Sequence, residues 1–486
     1  MRRHRVMMVL AGAAAVWCAA PLAVTAAPAA AAIARARTWR PAIEVPGLGS
    51  LNKGGHATVN SVSCGSAGNC VAGGSYVDGA HRQEAFVVSE RNGTWGKAIE
   101  VPGSGSLNAH GDAAVASVSC ASAGDCAAGG TYADGHSHLQ AFVVSERNGT
   151  WGKAIEAPGS AILNRGGNAQ VTSVSCTSAG TCGAGGSYAD GRHHLQAFVV
   201  SERNGSWRSA IEVPGSGSLN KGGNAQVASV SCGLAGTCAA GGGYTDGSGH
   251  PQGFVVSERN GRWGTVIRVP GLATLNKGED ASVRSVSCRS VGSCAAGGDY
   301  VDGSDRFQAF VVSETNGSWR VAIRVPGSGA LNAGGLAFVN SVSCGSAGNC
   351  AAGGDYRDGH NNMQAFVVSE RNGTWAKAIE VPGSGALNAS GFASVNSVSC
   401  ASAGNCAAGG FYQDRSGHFQ GFVASERNGT WGRAIEVPGL GTLNKGGDAG
   451  VNSVSCRSAG NCAAGGSYAD RPGIPPHLQA FVVSQA

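Results

Sequence analysis

Charge is scarce in this sequence: Asp, Glu, Lys and Arg together supply only 13% of its 486 residues. The net charge is +5, and Arg2, Arg3 and Arg5 account for three of it, leaving about +2 on the rest of the chain. A nucleic-acid or anionic-membrane binder needs a dense basic face, so neither partner is expected. Methionine numbers only 4 while glycine, a poor helix former, numbers 80, which argues against a helical bundle. Aromatics are few, at 6%, yet they recur at fixed intervals with β-branched residues between Gly, Ser and Asn. That placement argues against disorder and for β-structure. Long apolar runs are missing after the leader, so no membrane span is expected in the mature chain.

What is present begins with a leader. Arg2, Arg3 and Arg5 precede an apolar stretch from Val6 to about Val24, followed by small residues around Ala27-Pro28-Ala29 and Ala30-Ala31-Ala32. This is the pattern of a secretory signal peptide over residues 1–32, cleaved after Ala29 or Ala32, with 33–38 as a short linker. A lipid anchor on Cys18 is an alternative, but bulky Trp17 stands where a small residue is needed.

Residues 39–486 are eight units of 56. Trp39, Trp95, Trp151, Trp207, Trp263, Trp319, Trp375 and Trp431 recur without drift, and so does the tyrosine series from Tyr76 to Tyr412 and Tyr468. About three extra residues sit near Pro472–Pro476 in the last unit. One unit reads as four short strands. Val59–Cys64 and Cys70–Tyr76 form a hairpin, Glu84–Ser89 is the third strand, and Asn92-Gly93 is a turn whose central residues both need positive φ. Trp95–Val101 is the fourth, followed by a loop of about a dozen residues. Repeats of this kind are propeller blades, so the fold class is all-β, an eight-bladed β-propeller over 39–486. Small residues in strands one and two place them innermost. The repeated pair Gly73-Gly74 allows a neighbouring strand or ring to approach closely. The repeat region starts on a fourth strand, Trp39–Val45, and stops after a third, Phe481–Ser484, so the N-terminal strand is expected to complete the last blade and close the ring.

Sixteen of the 17 cysteines form one Cys-x5-Cys pair per blade. The pairs are Cys64 with Cys70, Cys120 with Cys126, Cys176 with Cys182, Cys232 with Cys238, Cys288 with Cys294, Cys344 with Cys350, Cys400 with Cys406, and Cys456 with Cys462. In an exported chain this spacing reads as disulfides across the first hairpin. Zinc would need four ligands, and no histidine stands beside each pair, so no metal or cofactor is expected.

The loop between strands two and three and the loop between blades emerge on one face. That face collects Asn52, Asn108, Asn164, Asn220, Asn276, Asn332, Asn388 and Asn444. It also collects Asp78, Asp134, Asp190, Asp246, Asp302, Asp358, Asp414 and Asp470. A third column holds Arg82, His138, His194, His250, Arg306, Asn362, His418 and His477. Amides, carboxylates and aromatic faces arranged around a rim suit hydroxyl-rich ligands. The same residues are also turn chemistry, free to satisfy their own backbone, and both readings stand at this level.

The unit Ser-Val-Ser-Cys…Cys-Ala-Ala-Gly-Gly is similar to bacterial secreted repeat proteins of propeller-like architecture across the whole of 39–486. The resemblance implies the architecture and carries no activity or site residues. Near-identical blades produce rings of one group, whereas catalysis needs unlike groups converging. The expectation is a secreted, extracellular, monomeric, non-catalytic multivalent binder of glycan or another cell-surface ligand. The alternatives are an extracellular hydrolase or lyase with a rim site, and a scaffold for a protein partner.

Overall fold

The structure is a computed structural model that describes residues 38–233, 237–473 and 476–485. The leader over 1–32 and all of the linker but Thr38 lie outside the described residues. The first module sets the pattern: β1 (Ile43–Glu44), α1 (Leu48–Leu51), β2 (Ala57–Ser66), β3 (Asn69–Val77), β4 (Gln83–Arg91), β5 (Thr94–Trp95) and β6 (Ile99–Glu100). The sheet order is β2-β3-β4-β5, with β6 also on β4, all antiparallel. Seven sheets follow this plan. The eighth is completed by β1, which pairs with the last strand, His477–Ser484, through Ile43 opposite Val482 and Glu44 opposite Phe481. The ring of eight blades is therefore closed by the N-terminal strand.

Local chemistry explains the turns. Asn92 and Gly93 both adopt positive φ, 49° and 78°, as an Asn-Gly hairpin turn requires. Gly74 faces a β-bulge in β2, and a Cβ there would come within 1.8 Å of the Thr58 carbonyl oxygen. Gly73 serves the next blade: a Cβ would lie 2.7 Å from Val115. The glycine pair thus lets sheet meet sheet.

Two elements depart from the sequence reading. The fourth strand is not continuous from Trp95 to Val101 but breaks into β5 and β6. At the break the Ala98 N–H turns away to the Pro46 carbonyl, 2.8 Å away at the exit of the preceding fourth strand. The same bond recurs at each junction and closes on itself through Ala42 N–H to Pro438 O, 2.7 Å. The interblade loop also holds one helical turn, α1, entered through Gly47 at φ 78°.

The core lies between blades. One cluster joins Val71, Ala85 and Val87 of the first blade to Val115, Val118 and Phe142 of the second. Each blade buries one phenylalanine completely, from Phe86 to Phe422 and Phe481, each contributing roughly 1.5–3 kcal/mol.

All eight cysteine pairs are disulfides, as the spacing predicts. Cys64 bonds to Cys70, Cys120 to Cys126, Cys176 to Cys182 and Cys232 to Cys238. In the second half of the ring Cys288 bonds to Cys294, Cys344 to Cys350, Cys400 to Cys406 and Cys456 to Cys462. Each pair occupies facing positions of its first hairpin, as Cys64 and Cys70 do between β2 and β3. Among the described residues no helix is long and apolar enough to cross a membrane.

Candidate functional site

The three loop-face columns are brought together, but largely for architecture. The asparagines are buried, from 0% exposed at Asn108 to 6% at Asn164. Asn108 Nδ2 donates to the Gln83 carbonyl and to Glu84 Oε2, both at 2.9 Å, while its Oδ1 accepts from the N–H groups of Asp112 and Ala133. Asn52 makes the corresponding bonds to Leu478 and Gln479 across the ring closure. The same residues at Asn164, Asn220, Asn332, Asn388 and Asn444 bind the preceding third strand, and Asn276 binds Gln252. These amides are spent on joining blades. Burial and these hydrogen bonds account for the column as interblade architecture.

The aspartates organise their own loops. Asp134 Oδ1 accepts from the N–H groups of His136 and His138, and Oδ2 from Gln140 Nε2. Asp190, Asp246, Asp302, Asp358 and Asp414 repeat this, and Asp78 accepts from Ala80 and Arg82. Asp470, beside the inserted residues, instead meets His477 Nδ1 at 2.7 Å. Partial desolvation acts to raise the Asp134, Asp190, Asp246, Asp302, Asp358 and Asp414 carboxyls, but the hydrogen bonds outweigh it and hold them below the usual range. The third column leans over a glycine of the next blade, as His138 does over Gly167, His194 over Gly223 and His418 over Gly447. His138 keeps more than half of its side chain exposed, and His250 Nε2 lies 2.9 Å from Glu279. Tyr76 and its equivalents are buried, so no aromatic face of theirs lies on the rim. No group of three or more His, Cys, Asp or Glu side chains is placed to hold a metal ion among the described residues.

A second repeated feature lies on the outer edge, between adjacent blades. Here Trp207 Nε1 donates to Ser145 Oγ at 3.1 Å, and Ser145 donates to the buried Glu202 Oε1 at 2.8 Å. Arg147 reaches the same Glu202 oxygen. Trp95, Ser484 and Glu90 make the corresponding chain across the ring closure. Burial pushes up the carboxyls of Glu90, Glu146, Glu314, Glu370 and Glu426 at these junctions.

The junction opens outward as a groove. Between the first and second blades it holds about 240 Å³, lined by Ser89, Arg91, Lys97, Ile99 and Trp151. Between the fourth and fifth it holds about 450 Å³, lined by Ser257, Arg259, Thr265, Ile267 and Trp319, the same positions three repeats on. The break after Trp95 that sends Ala98 to Pro46 uncovers this edge. One wall is notable for what it exposes. Ile43, Ile99, Ile155, Ile211, Ile267, Ile323, Ile379 and Ile435 are all 42–44% exposed, in every blade alike. The grooves at Ile99 and Ile267 therefore offer an apolar wall, an indole, a guanidinium and a hydroxyl. Sequence reasoning missed them, because an isoleucine two residues before the end of a strand reads as core.

A scan against protein-family models returns no match, and neither does a search of curated proteins. Among solved structures the chain is similar to the BP39L lectin from Burkholderia pseudomallei, at 13% identity, covering 78% of this chain and 99% of that one, with a TM-score of 0.41. It is similar to a polysaccharide lyase, an ulvan lyase, at 9% identity, covering 74% and 90%, with a TM-score of 0.43. The Hadza microbial sialidase Hz136 matches at 9% identity over 92% and 68%, with a TM-score of 0.38. At these identities and TM-scores none of them bears on what this chain binds.

Proposed function

We propose that the protein is a secreted, non-catalytic, multivalent binder of extracellular glycan, with the outer interblade groove as its repeated site. The observation that carries this reading is the ring of eight isoleucines held half-exposed at one position, with an arginine and the tryptophan of the next blade beside Ile99 and Ile267. A pyranose ring has an apolar C–H face and a rim of hydroxyls. Isoleucine and indole suit the face, and the serine, arginine and backbone groups suit the rim. Eight weak sites on one rigid ring convert modest affinity into avidity for a repetitive surface. Repetition also supports the non-catalytic reading, since the blades present the same few groups.

The test is a glycan array probed with the disulfide-bonded protein and two variants. In one, the eight exposed isoleucines become serine; in the other, the rim residues His138, His194 and His418 become alanine. Loss of glycan signal in the first and retention in the second is expected. Retention in the first and loss in the second would move the site to the rim, and no signal from the unaltered protein would overturn the reading.

A further inference from the structure

The repeats are so alike that their differences are informative, and six of them, at four repeat positions, converge. The position of Ser75 is Ser, Thr or Gly in five blades but Asp299, Asp355 and Phe411 in the fifth, sixth and seventh. That of Asn60 is Asn, Ala or Thr in seven blades and Arg284 in the fifth. The position of Thr58 becomes Phe338 in the sixth blade, and that of His56 becomes Phe392 in the seventh. All lie at the loop-face ends of the two innermost strands, so they form one sector around the mouth of the ring's axis.

The sector is continuous. Arg284 Nε donates to Asp299 Oδ1 at 2.5 Å, and the guanidinium lies 4.5 Å from the Phe338 ring centroid on the next blade. Phe338 pairs across its hairpin with Asp355, whose Oδ1 accepts Asn340 Nδ2 and Ser394 Oγ, both at 2.8 Å. Ser394 pairs in turn with Phe411, which stacks on Phe392 at 5.9 Å. Arg284 is 42% exposed along its side chain, Phe392 is 44% exposed, and the Arg284 Nη groups have no hydrogen-bond partner among the described residues. The Asp280 carboxyl stands at the same mouth, within electrostatic reach of Arg284 and Asp299. Unlike the grooves, this arrangement occurs once per chain.

The composition selects the ligand. Arg284 is paired with Asp299 and has Asp280 beside it, so the mouth has no surplus positive charge to hold an anion. A cation is disfavoured because Arg284 already covers the Phe338 face. What remains is an uncharged ring with hydroxyls, for which the guanidinium edge that Phe338 holds donates, the Asp280 carboxyl accepts and the exposed Phe392 stacks. We infer that the mouth of the axis across the fifth to seventh blades is a single-copy site for one neutral sugar ring, distinct from the eight grooves. The choice of a sugar rests on the glycan-binding reading of the grooves; the geometry of the sector does not.

Every tryptophan among the described residues holds the repeat position that lines a groove at Trp151 and Trp319, so tryptophan emission reports that edge and not the mouth. The experiment is isothermal titration with glucose, galactose, mannose and N-acetylglucosamine, run beside tryptophan emission. The expected result is one equivalent bound with unchanged emission, weakened at least about tenfold by Arg284→Asn and by Phe338→Thr. Both substitutions restore residues that other blades carry, as Asn340 and Thr58, so the fold has room for them. Phe338→Trp should make the same event visible in emission. Binding that always changes native emission, or that survives Arg284→Asn and Phe338→Thr, overturns the inference and leaves the grooves standing. No heat from any sugar also overturns it, while the groove reading stands or falls separately on the glycan array.

Discussion

Ser453 in the last blade accepts the backbone N–H of Val62 in the first, at 2.9 Å, across the seam where the ring closes. The same bond runs from Val118 to Ser61 and onward through every blade, and a second ring two residues further along joins Cys120 to Ser63 and Cys64 to Ser455. The Ser-Val-Ser-Cys signature is therefore interblade chemistry. Its serines satisfy backbone donors that a neighbouring sheet would otherwise bury unpaired.

Replacing Ser453 by alanine leaves the Val62 N–H without its partner in a buried setting. The expected cost is about 1–3 kcal/mol, read as a fall in Tm with the disulfides intact. An unchanged Tm would show that the seam is held elsewhere.

Closure by β1 covers the hydrogen-bonding edge of the last strand, and Trp39, Ala42 and Val45 fill the core around it. A chain lacking residues up to Val45 should expose that edge and associate or aggregate in gel filtration. A monomer with the native Tm would contradict the role given to β1.

Each disulfide closes a short hairpin loop. Replacing both Cys64 and Cys70 by alanine is expected to cost about 2 kcal/mol in the chain-entropy model while leaving the ring folded. Denaturant unfolding of the pair variant against the parent provides the check.

Two carboxyl sets give stability opposite pH dependences. The buried Glu90, Glu146, Glu314, Glu370 and Glu426 have folded values above the ordinary 4.5, so their favourable contribution is complete below about pH 4.5 and lost as pH rises through the raised values. The loop aspartates have folded values below 3.8, so theirs is present above about pH 3.8 and lost as pH falls through the lowered values. Tm should peak in mildly acidic buffer, decline slowly toward neutrality and drop steeply in stronger acid. Glu370 has Thr315 at the repeat position that Arg91, Arg147, Arg203, Arg259 and Arg371 hold at other junctions, and the last blade carries Gln485 at the glutamate position. Glu370→Gln should thus flatten the decline toward neutral pH and raise Tm there; a lowered Tm at pH 7 would contradict this.

Legibility followed distance along the chain. The Asn-Gly turn, the cysteine hairpin and the strand left over at each end are local patterns, and they were readable from residues such as Asn92, Cys64 and Trp39. The role of Asn52 was not, because its amide answers to Leu478 and Gln479 on the far side of the seam. Nor was the groove: Ile99 faces outward because Ala98 bonds to the preceding module at Pro46, a contact that no alternation pattern encodes. The sector around Arg284 was visible only as scattered departures from the repeat until the inner strands brought them to one mouth.

The central claim, that the outer grooves bind glycan, is tested most directly by titrating an array-selected glycan against tryptophan emission. A saturable change in emission with several equivalents bound per chain, abolished when the eight exposed isoleucines become serine, is the predicted result. Glycan binding with unchanged emission and undiminished by those replacements would contradict it.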